Sequence, residues 1–143
     1  MTRTELLLFL RAHSLGVVAT RSPAGLPQAA VVGIATSERF EIIFDTLGES
    51  RKAHSLRHSP EVACVVGWDS QQTAQIEGNA DEPSGEDLKR VQRCYFAQFP
   101  DGPMRLAWPG ITYFRIRPRC VRFSDFRESE ARIVTFSESD LEQ

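Results

Sequence analysis

A chain of 143 residues with 41% hydrophobic and 25% charged side chains, 17 basic against 19 acidic for a formal net charge of −2, has the size of one ordinary globular domain. A domain of that size buries roughly 68% of the surface its unfolded chain exposes. The even spread of apolar residues and the small net charge exclude a disordered segment and a generally basic nucleic-acid binder. The longest purely aliphatic and aromatic run, Leu6 to Leu10, falls far short of the ~20 residues of a membrane-spanning helix and of the ~7–15 of a secretory h-region. No export signal is read, and a cytoplasmic location is expected. Three cysteines, Cys64, Cys94 and Cys120, odd in number and without metal-ligand spacing, agree with a reducing compartment.

Thr2 and Glu5 have capping-box spacing ahead of an apolar stretch, and a helix from about Thr4 to His13 is expected. Gly16 releases the chain into a β-branched run, Val17 to Thr20, and Ser22-Pro23-Ala24-Gly25 reads as a turn. A small, apolar strand runs from Gln28 towards Ala35. Beyond the turn at Thr36 to Arg39, Phe40, Ile42 and Phe44 share one face and Glu41, Ile43 and Asp45 the other, the period of a strand. The continuous apolar run 62–68 is expected to be a strand buried on both faces. From Thr73 to Ala80 the faces separate, with Ala74, Ile76, Gly78 and Ala80 opposite Thr73, Gln75, Glu77 and Asn79. Ser84 stands at the N-cap of a second long helix, with Glu86 and Asp87 in its first turn and a stripe of Leu88, Val91, Tyr95 and Phe99. Pro100 to Pro103 ends that helix, and further strands are expected at 111–116, 119–126 and 133–136. About eight short strands joined by tight turns imply a mainly β fold with flanking helices, an antiparallel sheet curled into a barrel, as one domain over residues 1–143.

The segment Asp45 to Pro60 holds the densest chemistry. It reads as a strand end, a loop around Gly48, and a short helix capped by Ser50 and stopped by Pro60, which keeps Ser59 out of helical geometry. Backbone N–H groups at a helix start attract anions. The Ser50 hydroxyl and the cations Arg51 and Lys52 add the charge-assisted donors that hold a phosphate, the guanidinium gripping two oxygens and the ammonium acting as a point charge. The plainer alternative is that Ser50 only caps the helix and both cations are solvated.

Taken in order, Asp45-Thr46, Ser50-Arg51-Lys52, Leu56, the strand ending in Gly67-Trp68, Ile76-Glu77-Gly78 and the run Ala107 to Phe114 resemble the pyridoxamine 5′-phosphate oxidase-like, FMN-binding split-barrel family, in its uncharacterised and general-stress branch. The resemblance covers roughly residues 15–126. It implies an antiparallel split β-barrel that forms a homodimer with FMN across the subunit interface. It assigns the cofactor phosphate to Arg51 and Lys52 beside Ser50, and further flavin contacts to Asp45, Thr46 and Thr73. It also lays the flavin ring over the backbone of the 28–33 strand, including Val31, Val32 and Gly33. Where the true oxidase begins that strand with Arg and ends it with Lys, this chain has Gln28 and Gly33, and no His follows His58 to match the oxidase's C-terminal substrate site. The resemblance therefore implies an FMN-dependent oxidoreductase acting on a small organic substrate other than a phosphorylated B6 vitamer. Small Gly33 and Ala35 would leave room for a more apolar molecule or for a deazaflavin. The alternative is a non-catalytic flavin, deazaflavin or haem binder serving as sensor or carrier. No residue stands out as a required general acid or base, which suits chemistry carried by a cofactor.

His54 and His58 lie four apart, a spacing that two metal-bound imidazoles use, but without a third ligand or the glutamate of the zinc-protease pattern. Solvated helix-face histidines are expected, and no metal. Cys64 sits mid-strand, where burial makes a thiol inert. From Arg105 to Arg122 there are five arginines and no acid, and Arg115, Arg117 and Arg119 share a face only if Pro118 keeps the register. The stripe is either a surface for single-stranded nucleic acid or, the preferred reading, an outer face neutralised by the acidic residues from Glu128 to Glu142. Trp68 and Trp108 are assigned to the core or a subunit interface, with Trp108 also a candidate flavin contact.

Overall fold

A computed structural model describes residues 1–143 and builds them around one antiparallel sheet. Helix α1 (Arg3–Arg11) opens the chain. The capping box forms: the Glu5 amide donates to Thr2 Oγ1 at 3.1 Å and the Thr2 amide to the Glu5 carboxylate at 2.6 Å. Leu6 and Leu10, one turn apart, are fully buried. The strands are β1 (Leu15–Arg21), β2 (Pro27–Gly33), β3 (Ala35–Thr36), β4 (Ile42–Leu47), β5 (Glu61–Val66), β6 (Gln72–Asp81), β7 (Ile111–Asp125) and β8 (Arg132–Ser137). Their order is β2-β1-β5-β6-β7-β4-β3, with β8 paired to β7. Helices α2 (Arg51–His58), α3 (Gly85–Gln98) and α4 (Glu138–Glu142) and a 3-10 segment (Gly102–Ala107) flank the sheet. The sheet curls into a half-barrel, the architecture expected from the strand count and the short turns.

The two strands expected at 111–116 and 119–126 are one. β7 runs unbroken, pairs with β6 from Arg115 to Asp125, and gives its first half to β4 and its second to β8. Proline cannot donate to a ladder, and the irregularity sits at Pro118: Gly78 faces Pro118 while Glu77 faces Cys120, which leaves Arg119 unpaired in a bulge. The extra residue switches the inward set from Phe114 and Ile116 to Val121 and Phe123. Gly78 is required there, because a Cβ would collide with the Arg117 carbonyl.

The barrel interior gathers Leu6, Val18, Ile42, Phe44, Cys64, Ile76, Phe114 and Val121 in one core. A second, smaller core forms where α3 lays Val91 and Tyr95 against Ala35, Ile43 and Tyr113 on the outer face of β3, β4 and the start of β7. Removal of apolar surface from water drives both contacts. Ser84 occupies the N-cap of α3, but its hydroxyl makes no capping bond. β5 departs from the expectation of burial on both faces. Val62, Cys64 and Val66 point inward, while Ala63 is exposed and Val65 half-buried. No helix covers that outer face, so Val17, Val31 and Val65 in one row and Ala19, Ala29 and Ala63 in the next form an uncovered apolar plateau across β2-β1-β5.

Candidate functional site

Strand β4 ends at Leu47, the chain turns through Gly48, and α2 begins at Arg51 with Ser50 as N-cap. Ser50 Oγ accepts from the Ala53 amide at 3.1 Å and lies 3.0 Å from Thr46 Oγ1. The first N–H groups of the helix have no carbonyl within it. Ser50, Arg51 and Lys52 line a groove of about 200 Å³ whose other wall is Val18 and Thr20 of β1 and Gln28 to Ala30 of β2. Both cations therefore border a cleft beside a sheet edge. Neither forms a salt bridge. Burial pushes the Lys52 ammonium below its ordinary pKa, an effect partly offset by the negative charge of Asp45, and its Nζ stands 6.0 Å from the Phe44 ring centre. Amide donors, a hydroxyl and two unneutralised cations around one small cleft fit a phosphate monoester.

The other expected site residues divide. Thr46 joins the cleft through Ser50. Asp45, its neighbour, faces the opposite side of β4, because side chains alternate along a strand. The Asp45 carboxylate accepts from Arg105 Nε at 2.8 Å and from the Tyr95 hydroxyl at 3.1 Å, so it fastens the 3-10 segment and α3 to the sheet. Thr73 donates its hydroxyl to the Gly67 carbonyl. By register it lies beyond the Gly16 end of β1, whereas the cleft sits at the Thr20 end. Val31 is exposed, Val32 belongs to the barrel core, and Gly33 lies at the far end of β2 from Gln28. The room expected from Gly33 and Ala35 is filled: a Cβ on Gly33 would meet Phe99 Cζ at 2.9 Å, and Ala35 is packed into the second core.

Two partners of the cleft were not foreseen. Gln28 accepts a hydrogen bond from Ser55 Oγ at 3.1 Å and so ties β2 to α2. Arg57 grips Glu82 through Nε at 3.0 Å and Nη2 at 2.6 Å, and donates from Nη1 to the Gly48 carbonyl at 2.5 Å. This clamp fixes the loop that presents Ser50. Arg57 and Glu82 are 25 residues apart, and only the closing of the sheet brings them together. His54 and His58 are exposed on α2.

The basic stripe is dispersed. Arg105 is held by Asp45 and Asp101, and Arg115 is buried against Asp81, Asp87 and Glu41. The bulge separates Arg119, which bonds Asn79, from the alternation of Arg115 and Arg117. The neutralising acids are thus Glu41, Asp45, Asp81, Asp87 and Asp101, and the expected pairing with the C-terminal acids does not form. Trp68 and Trp108 are both about half exposed and belong to neither core.

Residues 2–125 match the family described as pyridoxamine 5′-phosphate oxidase. A pyridoxine/pyridoxamine 5′-phosphate oxidase of Burkholderia mallei is 33% identical over 116 residues, covering 80% of this chain and 52% of that protein. The chain thus spans about half the length of the curated relatives it matches. Among solved structures, a heme binding protein from Mycobacterium smegmatis superposes with a TM-score of 0.84 at 15% identity, covering 99% of this chain and 60% of its own. A pyridoxamine 5′-phosphate oxidase-related, FMN binding protein from Nostoc punctiforme does so with 0.70 at 14% identity, covering 94% and 84%. These two show the fold, a split barrel. With the family matched over all but the first residue and the C-terminal segment, the chain belongs to the pyridoxamine 5′-phosphate oxidase family.

Proposed function

We propose that this chain is an FMN-dependent oxidoreductase that works as a homodimer in the cytoplasm, grips the cofactor phosphate at the start of α2, and acts on a small organic substrate. The observation that carries this reading is the convergence of Ser50, Arg51, Lys52 and the first turn of α2 on one cleft. A bound flavin supplies two-electron chemistry, so the protein's task is to hold, orient and shield. Arg51 offers two parallel donors to phosphate oxygens, Lys52 adds a half-buried point charge, and the Arg57–Glu82 clamp keeps the loop in place. A phosphorylated B6 vitamer is disfavoured as substrate by Gln28 and Gly33, which supply no cation, and by Phe99 against Gly33. Support for the homodimer comes from the apolar plateau of β2-β1-β5 and the open edge of β2, surfaces that a lone subunit leaves in water.

Purified protein is expected to be yellow or to quench the fluorescence of added FMN. Arg51→Ala should weaken FMN binding by about 1.5–3 kcal/mol, the worth of a hydrogen bond to a charged group; unchanged affinity refutes the cradle. Val31→Asp, on the plateau, should convert a dimer to a monomer in sedimentation, and a monomeric parent protein at micromolar concentration overturns the dimer.

A second reading, a haem binder, is favoured by one feature. His13 Nδ1 lies 2.8 Å from the Phe9 carbonyl, which turns Nε2 outward beside the exposed Trp68 and Leu15, with the Asp69 carboxylate at 3.9 Å as its one charged neighbour, the orientation of a ligating imidazole. The M. smegmatis neighbour is itself named a heme binding protein. A Soret band lost in His13→Ala would establish it, and flavin bands without a Soret band would dismiss it.

A further inference from the structure

A second basic cavity lies between α1 and α3, both of which pack on β3. Its volume is about 520 Å³, within the ~300–1,000 Å³ of small-molecule sites, and it shares no lining residue with the α2 cleft. Arg11 reaches it from the last turn of α1, Arg39 from the turn before β4, and Arg93 from α3, with Ala35 and Ala97 as apolar wall. Arg11 is anchored by a 3.1 Å bond from Nε to the Thr36 carbonyl, which leaves its terminal nitrogens unengaged. Arg90 also borders the cavity, but its guanidinium is fully engaged by Glu41, at 2.7 and 2.9 Å, and by Asp87. Arg11, Arg39 and Arg93 form no salt bridge, and Glu38 is the one carboxylate on the lining.

A single exposed arginine is ordinary. Three arginines from three separate elements line one concave space with a single carboxylate, Glu38, in a chain with more acids than bases, a local excess of positive charge that attracts an anion. Each offers a planar fork matched to carboxylate or phosphate oxygens. We propose that this cavity is a second ligand site, independent of the flavin reading, that binds a small organic polyanion. The ligand carries two or more carboxylate or phosphate groups for the arginines and a short carbon skeleton against Ala35 and Ala97.

The test is calorimetric titration of the whole protein at low ionic strength with citrate and with inorganic pyrophosphate. Saturable binding of one anion per chain, beyond any held by the α2 cleft, is expected, and the tighter probe identifies the anionic group. Arg39→Gln/Arg93→Gln should bind at least tenfold more weakly, and Arg39→Gln alone should lie between. Arg119→Gln, on an exposed strand, should bind as the parent does, and Arg51→Gln should lose only anion held by the α2 cleft while keeping the site that the double substitution removes. Absence of saturable binding, or binding that survives the double substitution, overturns the proposal. So does an equal loss in Arg51→Gln, which moves the anion to the α2 cleft, or in Arg119→Gln, which reduces the effect to general surface charge.

Discussion

Arg115→Met removes the cation at the centre of the most deeply buried charge cluster. The Arg115 side chain is 4% exposed and bonds Asp81 at 2.8 and 2.9 Å, Asp87 at 2.9 Å and Glu41 at 3.3 Å. Breaking a buried ion pair from one side costs about 3–5 kcal/mol, because the carboxylates left behind are neither paired nor well hydrated. Here Asp81 and Asp87 are 42% and 44% exposed and recover water, and Glu41 keeps Arg90. The loss should therefore sit at the low end, about 3 kcal/mol, or a Tm lower by roughly 10 °C for a chain of this length. Methionine keeps most of the side-chain volume, so the loss reports charge rather than a cavity.

The pH dependence is specific. Burial works to raise the Glu41 carboxyl, but hydrogen bonds from Arg90 and Ser37 and the charges of Arg90 and Arg115 outweigh it and hold the pKa below its ordinary value. The Asp87 carboxyl is lowered chiefly by its hydrogen bond from Arg115. Carboxyls depressed in the folded state add stability that is present above their unfolded pKa values and lost as pH falls through the folded ones. In Arg115→Met these carboxyls return towards ordinary values, so the gap between the proteins should be full at pH 7 and narrow between about pH 5 and 3. Urea denaturation at pH 7 and pH 3.5 measures it. A loss under about 1 kcal/mol at pH 7, or a gap that fails to close in acid, refutes the reasoning.

Gly33→Ala drives a methyl group to 2.9 Å from Phe99 and should cost about 1–3 kcal/mol as an overpacked contact; a shorter side chain in Gly33→Ala/Phe99→Leu should restore the melting temperature. Glu82→Gln loosens the Arg57 clamp on the Gly48 loop, and FMN affinity should drop about tenfold, ~1.4 kcal/mol, while riboflavin, which has no phosphate, binds as before; an equal fall for both would reveal general damage. Cys64, whose thiol burial pushes up to about 12, should resist disulfide-exchange reagents in the native protein at pH 8 and react on unfolding, whereas fast native labelling would contradict its place in the core.

Period and punctuation made much of this molecule readable. The Thr2–Glu5 box, the alternation of β6 and the Ser50 cap followed by Pro60 are local signals, each set within one turn or one strand, and all are found in the structure. The cleft was legible because its chief residues are consecutive. What escaped were relations across the sheet. Asp45 and Thr46 are adjacent in sequence, yet the pleat sends one to Arg105 and the other to Ser50. Thr73 lies on the expected strand at the end away from the cleft, since its position depends on registers fixed only when β5 pairs with its neighbours. The continuity of β7 across Pro118 was hidden, because a proline reads as a strand end until a bulge and a glycine opposite it are known to accommodate the break.

Because β7 closes against β6, β4 and β8 at once, the architecture hangs on the last third of the polypeptide. A ribosome that has released residues up to about 100 has produced α2 and its cations, but Phe44 still lacks the Phe114 ring that stacks on it at 5.8 Å. Pairing β4 to β7 joins positions about seventy residues apart, and contacts so distant in sequence slow the search for the native state. Nascent chains should thus emerge with the Ser50 to Lys52 segment written but unsupported, and truncation anywhere before Asp125 should yield a chaperone client rather than a smaller working protein.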